Sequence, residues 1–205
     1  MKSIEKKHSV MDPSAIGLFS LAIVTLVASS QKLEWTENNA GMIAWALILG
    51  GLGQVIAGIY DAKINNVFGA TAFFAYGLFW LGTGFTWMIQ AGVFGQNLAA
   101  DFDAKQIGFA FIGYLVFTLF MTIGALETNK LLFFIFFVIN FLYLGLALST
   151  LGIMPELFHQ LAAWAEFTVS ILSLYGCGAA VLNAHFGFTF LPIGKKFNII
   201  KQTEQ

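Results

Sequence analysis

Residues 57–77 read AGIYDAKINNVFGATAFFAYG. An apolar run reaches Asp61, breaks into DAKINN, and resumes as a second apolar run dense in glycine and aromatics. Neither run alternates with period two and both are too long for barrel strands, so both read as helices. A helix needs ~20 apolar residues to cross a hydrocarbon core of ~30 Å. The runs at 40–60 and 68–90 meet that length. DAKINN then reads as a tight turn with its charges in water.

Four further runs, at 14–31, 107–126, 131–151 and 160–184, complete a predicted all-α, polytopic membrane protein of six spans. The composition agrees, since only 10% of the 205 residues are charged, against ~25% in soluble domains. The predicted organisation is a short tail at 1–13, a membrane domain at 14–184 and a C-terminal tail at 185–205. The first tail, MKSIEKKHSVMDP, lacks the apolar core and cleavage site of a signal peptide.

All ten basic residues are lysines. Six spans place both termini on one side, together with the 61–67 and 127–130 turns. That side holds Lys2, Lys6, Lys7, Lys63, Lys130, Lys195, Lys196 and Lys201, and the other side holds Lys32 and Lys105. The asymmetry predicts cytoplasmic termini in a cell (plasma or inner) membrane. Trp35, Trp45, Trp87 and Trp164 fall near the opposite ends of the spans, as an interfacial belt requires.

Several function classes drop out. A net charge of -1 offers no basic patch for nucleic acid. Cys177 is a lone cysteine, and His8, His159 and His185 are isolated, so no metal or other cofactor is expected. No nucleophile elbow or phosphate loop argues for an enzyme.

Polar groups inside the spans are the candidates for function. In DPSAIGL (12–18), Asp12 suits an N-cap and Pro13 the first helical position. Such a helix start favours anions, or it is an ordinary cap. In GGLGQVIAG (50–58) the glycines suit close packing, while Gln54 is either functional or bonded to a neighbouring helix. In NNVFGATAFFAYGLFW (65–80), Asn65 or Asn66 caps the helix, and Thr71, Tyr76 and Trp80 bring polar tips into the apolar zone. Tyr76 suits a narrow gate or a buried hydrogen bond. Glu166 is an ionisable group within a span, either proton-linked or snorkelling to water near Trp164. Asn140, Asn183 and His185 complete the set, the last two expected to be solvated near the cytoplasmic end.

These motifs, in this order, resemble the acetate uptake transporter family. The family signature Asn-Pro-Ala-x-x-Gly-Leu is here DPSAIGL, and Gly-Gly-x-x-Gln-x-x-Ala-Gly is GGLGQVIAG. The acidic-Lys-Asn turn with FGxTAFxxYGxFW is DAKINNVFGATAFFAYGLFW; FTLFM (117–121) and LNAHFGFTFLPIG (182–194) also match. The resemblance covers Asp12 to Gly194. It implies six helices per protomer, a homo-hexamer, one pore in each protomer, and small monocarboxylate substrates such as acetate and, in some members, succinate. It also implies a constriction at Leu21, Tyr76 and Ile139, where Leu21 replaces a phenylalanine and Ile139 a leucine. Asp12 stands where the signature has asparagine, and Glu166 where a bacterial permease of the family has glycine.

With no arginine and no cation evident in a span, such a path is expected to hold a carboxylate weakly, through helix-start amides, hydroxyls and side-chain amides. Asp12, Pro13, Gln54 and Asn66 would shape its cytoplasmic half. A channel for neutral solutes such as urea or short amides fits the same architecture, and so does a non-transporting sensor.

Overall fold

The computed structural model describes residues 12–200, so Lys2, Lys6, Lys7, His8 and Lys201 lie outside the described residues. Six helices are long and apolar enough to cross a membrane: Ser14–Lys32, Ala40–Lys63, Val67–Gln90, Ala104–Ala125, Lys130–Thr150 and Pro155–Phe186. They are called the first to sixth spans below. A short helix, Gln96–Ala100, sits between the third and fourth spans. No strand occurs among the described residues.

The sequence explains most helix boundaries. Asn66, Asp103 and Asn129 accept hydrogen bonds from backbone amides at the starts of the third, fourth and fifth spans. Pro155 opens the sixth span, and Gly187 closes it in the left-handed conformation at φ 73°. The second span is unusual. Its middle, Ala46–Gly53, forms a π-helix whose turns are wider than those of an α-helix, and the α-helix returns at Gln54.

Glycine and alanine set how closely the spans approach. A Cβ on Gly50 would meet the Trp80 ring at 2.7 Å, and one on Gly77 would meet the Val55 amide at 3.0 Å and the Gly51 carbonyl at 3.1 Å. The Gly77 contacts lock the second span to the third through backbone. Between the fifth and sixth spans, Gly145 faces Ala162, which is 0% exposed. Lipid supplies little hydrophobic drive for helix association, so such close contacts carry the packing.

The chain beyond the sixth span folds back across the ends of the bundle. Asn183 accepts from the amides of Phe190 and Leu191 and donates to the Leu191 carbonyl. Tyr175 donates to the Pro192 carbonyl, and the Leu131 amide donates to the Ile193 carbonyl. Asn183 is therefore a clamp for LNAHFGFTFLPIG, not the solvated group expected from its position.

Glu127 anchors the last described residues. Amides of Ile199 and Ile200 donate to its Oε1, and Lys196 lies 3.3 Å from its Oε2. The Ile200 amide, with smaller help from Lys196 and Ile199, holds this carboxyl below its ordinary value despite some loss of solvent. A depressed folded value stabilises the tail above the usual glutamate range of about 4.3, and that stabilisation is lost as pH falls through the folded value. Hydrogen exchange at Ile199 and Ile200, referenced to intrinsic rates, should stay slow at neutral pH and accelerate on acidification. Glu127→Gln should show fast exchange already at neutral pH.

Candidate functional site

Two cavities enter the bundle from opposite ends. The larger, about 500 Å³, lies at the end that holds Asp12, the 63–67 turn and the C-terminal strap. Its walls include Leu21 from the first span, Gln54 and Asp61 from the second, Tyr76 from the third, Ile139 from the fifth and Asn183 from the sixth. This is called the inner cavity. The smaller, about 250 Å³, is lined by Lys32, Asn39, Thr83, Gln90, Phe111 and Glu166 among others. It is the outer cavity.

The inner cavity is rich in acceptors. Gln54 is fully buried; its Nε2 donates to the Gly50 carbonyl at 2.9 Å, and its Oε1 has no partner. The bond stays within the second span, so the neighbouring-helix bond considered for Gln54 does not form. The π-helical stretch ends at Gly53, next to Gln54, and helps to set where this side chain points.

Asp61 corrects the reading of DAKINN as a wholly solvated turn. The second span continues to Lys63, and Asp61 is only 1% exposed. Asn66 donates to its Oδ1 at 2.8 Å while its own Oδ1 caps the third span, and Asp61 Oδ2 lacks a partner. Asp12 adds a second carboxyl, with its Oδ1 accepting from the Ser14 amide. Pro13 is buried beside it at the helix start. Thr71, grouped with Tyr76 as a polar tip in the apolar zone and a candidate for substrate binding, lies on an exposed face and does not line the cavity.

An aromatic layer separates the two cavities. Leu21, Tyr76 and Ile139 are 7%, 4% and 3% exposed and belong to one core cluster. Tyr76 borders the inner cavity, and Phe79 borders the outer one. Three residues along a helix is a rise of only ~4.5 Å, so the layer is thin along the third span, whereas along the fifth, from Ile139 to Leu146, it is ~10 Å deep. Tyr143 fills that layer from the fifth span, its ring stacked on Tyr76 with centroids 6.2 Å apart and planes 12° apart.

Hydrogen bonds hold the layer in place. Thr118 Oγ1 donates to the Tyr114 carbonyl at 2.7 Å, which spends its proton. The Tyr76 hydroxyl, 2.8 Å from Thr118 Oγ1, must then be the donor in that pair. Tyr114 in turn donates to the Ala75 carbonyl. The Tyr76 proton is therefore committed to the scaffold, leaving its oxygen lone pairs toward any passing donor.

The outer cavity contains charge. Glu166 is 2% exposed and its Oε2 lies 2.8 Å from Lys32 Nζ, whose side chain is 12% exposed. Glu166 does not snorkel to water. The sixth span starts at Pro155, five residues earlier than the apolar run, which places Glu166 three turns inside the helix. Nor is the path free of cations: Lys32, which falls just past the apolar run at 14–31, ends the first helix and borders the cavity itself.

Comparison with known proteins gives this arrangement a context. A sequence model of the GPR1/FUN34/yaaH family matches residues 2–195. The chain belongs to that family. It is 30% identical over 185 residues to the succinate-acetate/proton symporter SatP of Escherichia coli, covering 90% of this chain and 95% of that one. It is also 30% identical over 160 residues to acetate permease A of Emericella nidulans, where the match covers 74% of this chain and 51% of the fungal one. The solved structure of the bacterial acetate channel SatP superposes with a TM-score of 0.84 at 28% identity, covering 91% of this chain and all of that one.

Within this GPR1/FUN34/yaaH member, the fold brings together Leu21, Tyr76, Ile139, Gln54, Asp12 and Asn66 around one cavity. It sets Glu166 apart, in the other. Sequence reasoning missed Thr118, Tyr114 and Tyr143, although FTLFM, which contains Thr118, already stood out as a motif. Among the described residues no group of three or more His, Cys, Asp or Glu side chains is placed to hold a metal.

Proposed function

We propose that this protein is a membrane transporter for small monocarboxylates, acetate first among them, and that the substrate crosses between the two cavities past Leu21, Tyr76 and Ile139. The observation that carries the reading is the pair of opposed cavities separated by a narrow aromatic layer. A thin apolar barrier between polar vestibules lets a small solute shed little water for a short distance. The cavity sizes fit a solute of a few heavy atoms. The E. coli relative is named for succinate, acetate and protons, the fungal one for acetate, and the solved structure for an acetate channel. Those names support acetate as cargo and transport, not catalysis, as the activity.

The inner cavity suggests how the anion is handled. Asp12, Asp61 and Gln54 Oε1 present acceptors, which repel a carboxylate unless a proton accompanies it or resides on one of them. This favours passage of the acid with its proton over passage of a bare anion. The inner cavity faces the cytoplasm in this reading, because Lys63, Lys130, Lys195 and Lys196 share its end. Protomers assemble as a homo-hexamer in the cell membrane, each with its own path, in line with the family resemblance.

Uptake of labelled acetate into proteoliposomes, with and without an inward proton gradient and an uncoupler, tests the reading. Protein-dependent uptake that collapses with the uncoupler is expected. Swelling in acetamide or urea without acetate uptake would replace this reading with that of a neutral-solute channel.

A further inference from the structure

The Lys32–Glu166 pair is not needed to hold the bundle together. The first and sixth spans already pack closely along their length, with Gly176 of the sixth against Leu18 of the first. A buried ion pair is weak support for stability, since desolvation offsets much of the attraction. An ionisable pair inside a membrane protein and facing a cavity instead points to function.

Its chemistry matches the cargo. Lys32 is the last residue of the first helix, where the helix dipole favours a cation. Its ammonium has three N–H donors, and one is directed to Glu166. A free monocarboxylate offers the ammonium the same two oxygens that Glu166 does. The two carboxylates therefore compete for one cation. Polar side chains of Asn39, Thr83 and Gln90 line the same cavity and are available to the second substrate oxygen.

Charge balance then couples the competition to a proton. With Glu166 ionised, Lys32 is neutralised, and adding a substrate anion leaves the cavity one negative charge in excess. A proton from water of the outer compartment, taken up on the Glu166 carboxyl, removes that excess. The cavity then holds Lys32 ammonium, neutral Glu166 and the substrate anion, with the same net charge as before. An uncompensated charge in such a place is strongly disfavoured, so anion and proton enter together.

We propose that Lys32 and Glu166 form a proton-linked carboxylate site in the outer cavity, where a small monocarboxylate replaces Glu166 on the Lys32 ammonium as Glu166 takes up a proton. The inference rests on the transport reading for its biological meaning but makes a separate claim about binding. The groups that face Glu166 are Lys32 from the first span, Tyr143 from the fifth, and His159 on its own helix. The second, third and fourth spans present Met42, Thr83, Thr86, Gln90 and Phe111 to this cavity, none of them titratable. His159 is therefore the group whose titration must be separated.

The test is equilibrium binding of labelled acetate to the purified full chain at pH 5.5 and 7.5, with uptake measured in parallel. The wild type should bind at least ~10-fold more tightly at the lower pH, as linkage to one proton requires. Glu166→Gln should bind tightly at both pH values. Lys32→Met should bind weakly at both, and so should Lys32→Met/Glu166→Gln, which leaves no unpaired charge to unfold the bundle. His159→Gln should keep the wild-type dependence on pH.

A Glu166→Gln protein with the wild-type pH dependence, or a double variant that binds as tightly as Glu166→Gln, overturns the proposal. Uptake that persists in the double variant with unchanged affinity also overturns the site while leaving transport standing. Wild-type binding with the expected pattern but no uptake supports the site and removes the transport reading.

Discussion

Tyr76→Ala should thin the layer between the two cavities. The ring is 4% exposed and lies with Leu21, Ile139 and Tyr143 between inner and outer water, so its loss leaves the other three to close a wider gap. Discrimination by size should fail first: uptake of butyrate relative to acetate should rise at least ~10-fold, equivalent to ~1.4 kcal/mol of barrier. Removing a buried aromatic ring also costs about 3–5 kcal/mol of stability, so assembly must be verified by size-exclusion chromatography. Tyr76→Phe separates the two effects. It keeps the ring and removes only the donor to Thr118, at about 1 kcal/mol. Selectivity in Tyr76→Phe should stay within about twofold of wild type. An unchanged butyrate-to-acetate ratio in an assembled Tyr76→Ala protein would remove this tyrosine from the path.

Gly145→Ala is expected to loosen the helix pair that carries the outer cavity. The added Cβ would lie 2.6 Å from the Phe158 carbonyl oxygen and 2.8 Å from the Ala162 amide nitrogen. Both are backbone atoms of the sixth span, so no side chain can rotate away and the whole helix must shift. Overpacking of this kind costs about 1–3 kcal/mol, and contact with unyielding backbone places it near the upper end. For a chain of this length that is a fall of roughly 5–10 °C in the thermal midpoint. Gly113→Ala is the control: nothing lies within 4 Å of its Cβ position, and helix propensity predicts no loss. Equal midpoints for the two variants would show that the fifth and sixth spans do not depend on this contact.

The architecture was legible in the sequence because lipid allows few solutions. Length and hydropathy alone mark the six spans, since every backbone group must be satisfied inside its own helix. Around the path, Gln54 and Tyr76 stood out within their motifs, and Leu21 and Ile139 through the family resemblance alone. Asp61 did not, because hydropathy ends before the helix does. The chain turns polar at Asp61 while the helix runs on to Lys63, and Asn66 reaches back to shield the carboxyl. Lys32 and Glu166 escaped for another reason. They are 134 residues apart, and each looks surface-seeking when read alone. Nothing local in a sequence reports that two charges meet inside a bundle. Thr118 was hidden in the same way, since its role depends on a hydroxyl that arrives from another span.

The π-helical stretch at Ala46–Gly53 makes the second span behave as two segments with separate aim. Before it, Met42 faces the outer cavity; after it, Gln54 and Asp61 face the inner one. Were the stretch wound as regular α-helix at the same length, the residue that a wide turn holds in excess would rotate the two segments against each other by about 100°. Either the vestibule side chains or the glycine seam against the third span would point the wrong way. The wide turns thus act as a phase correction, letting a single rod serve two compartments whose lining residues do not share one helical face.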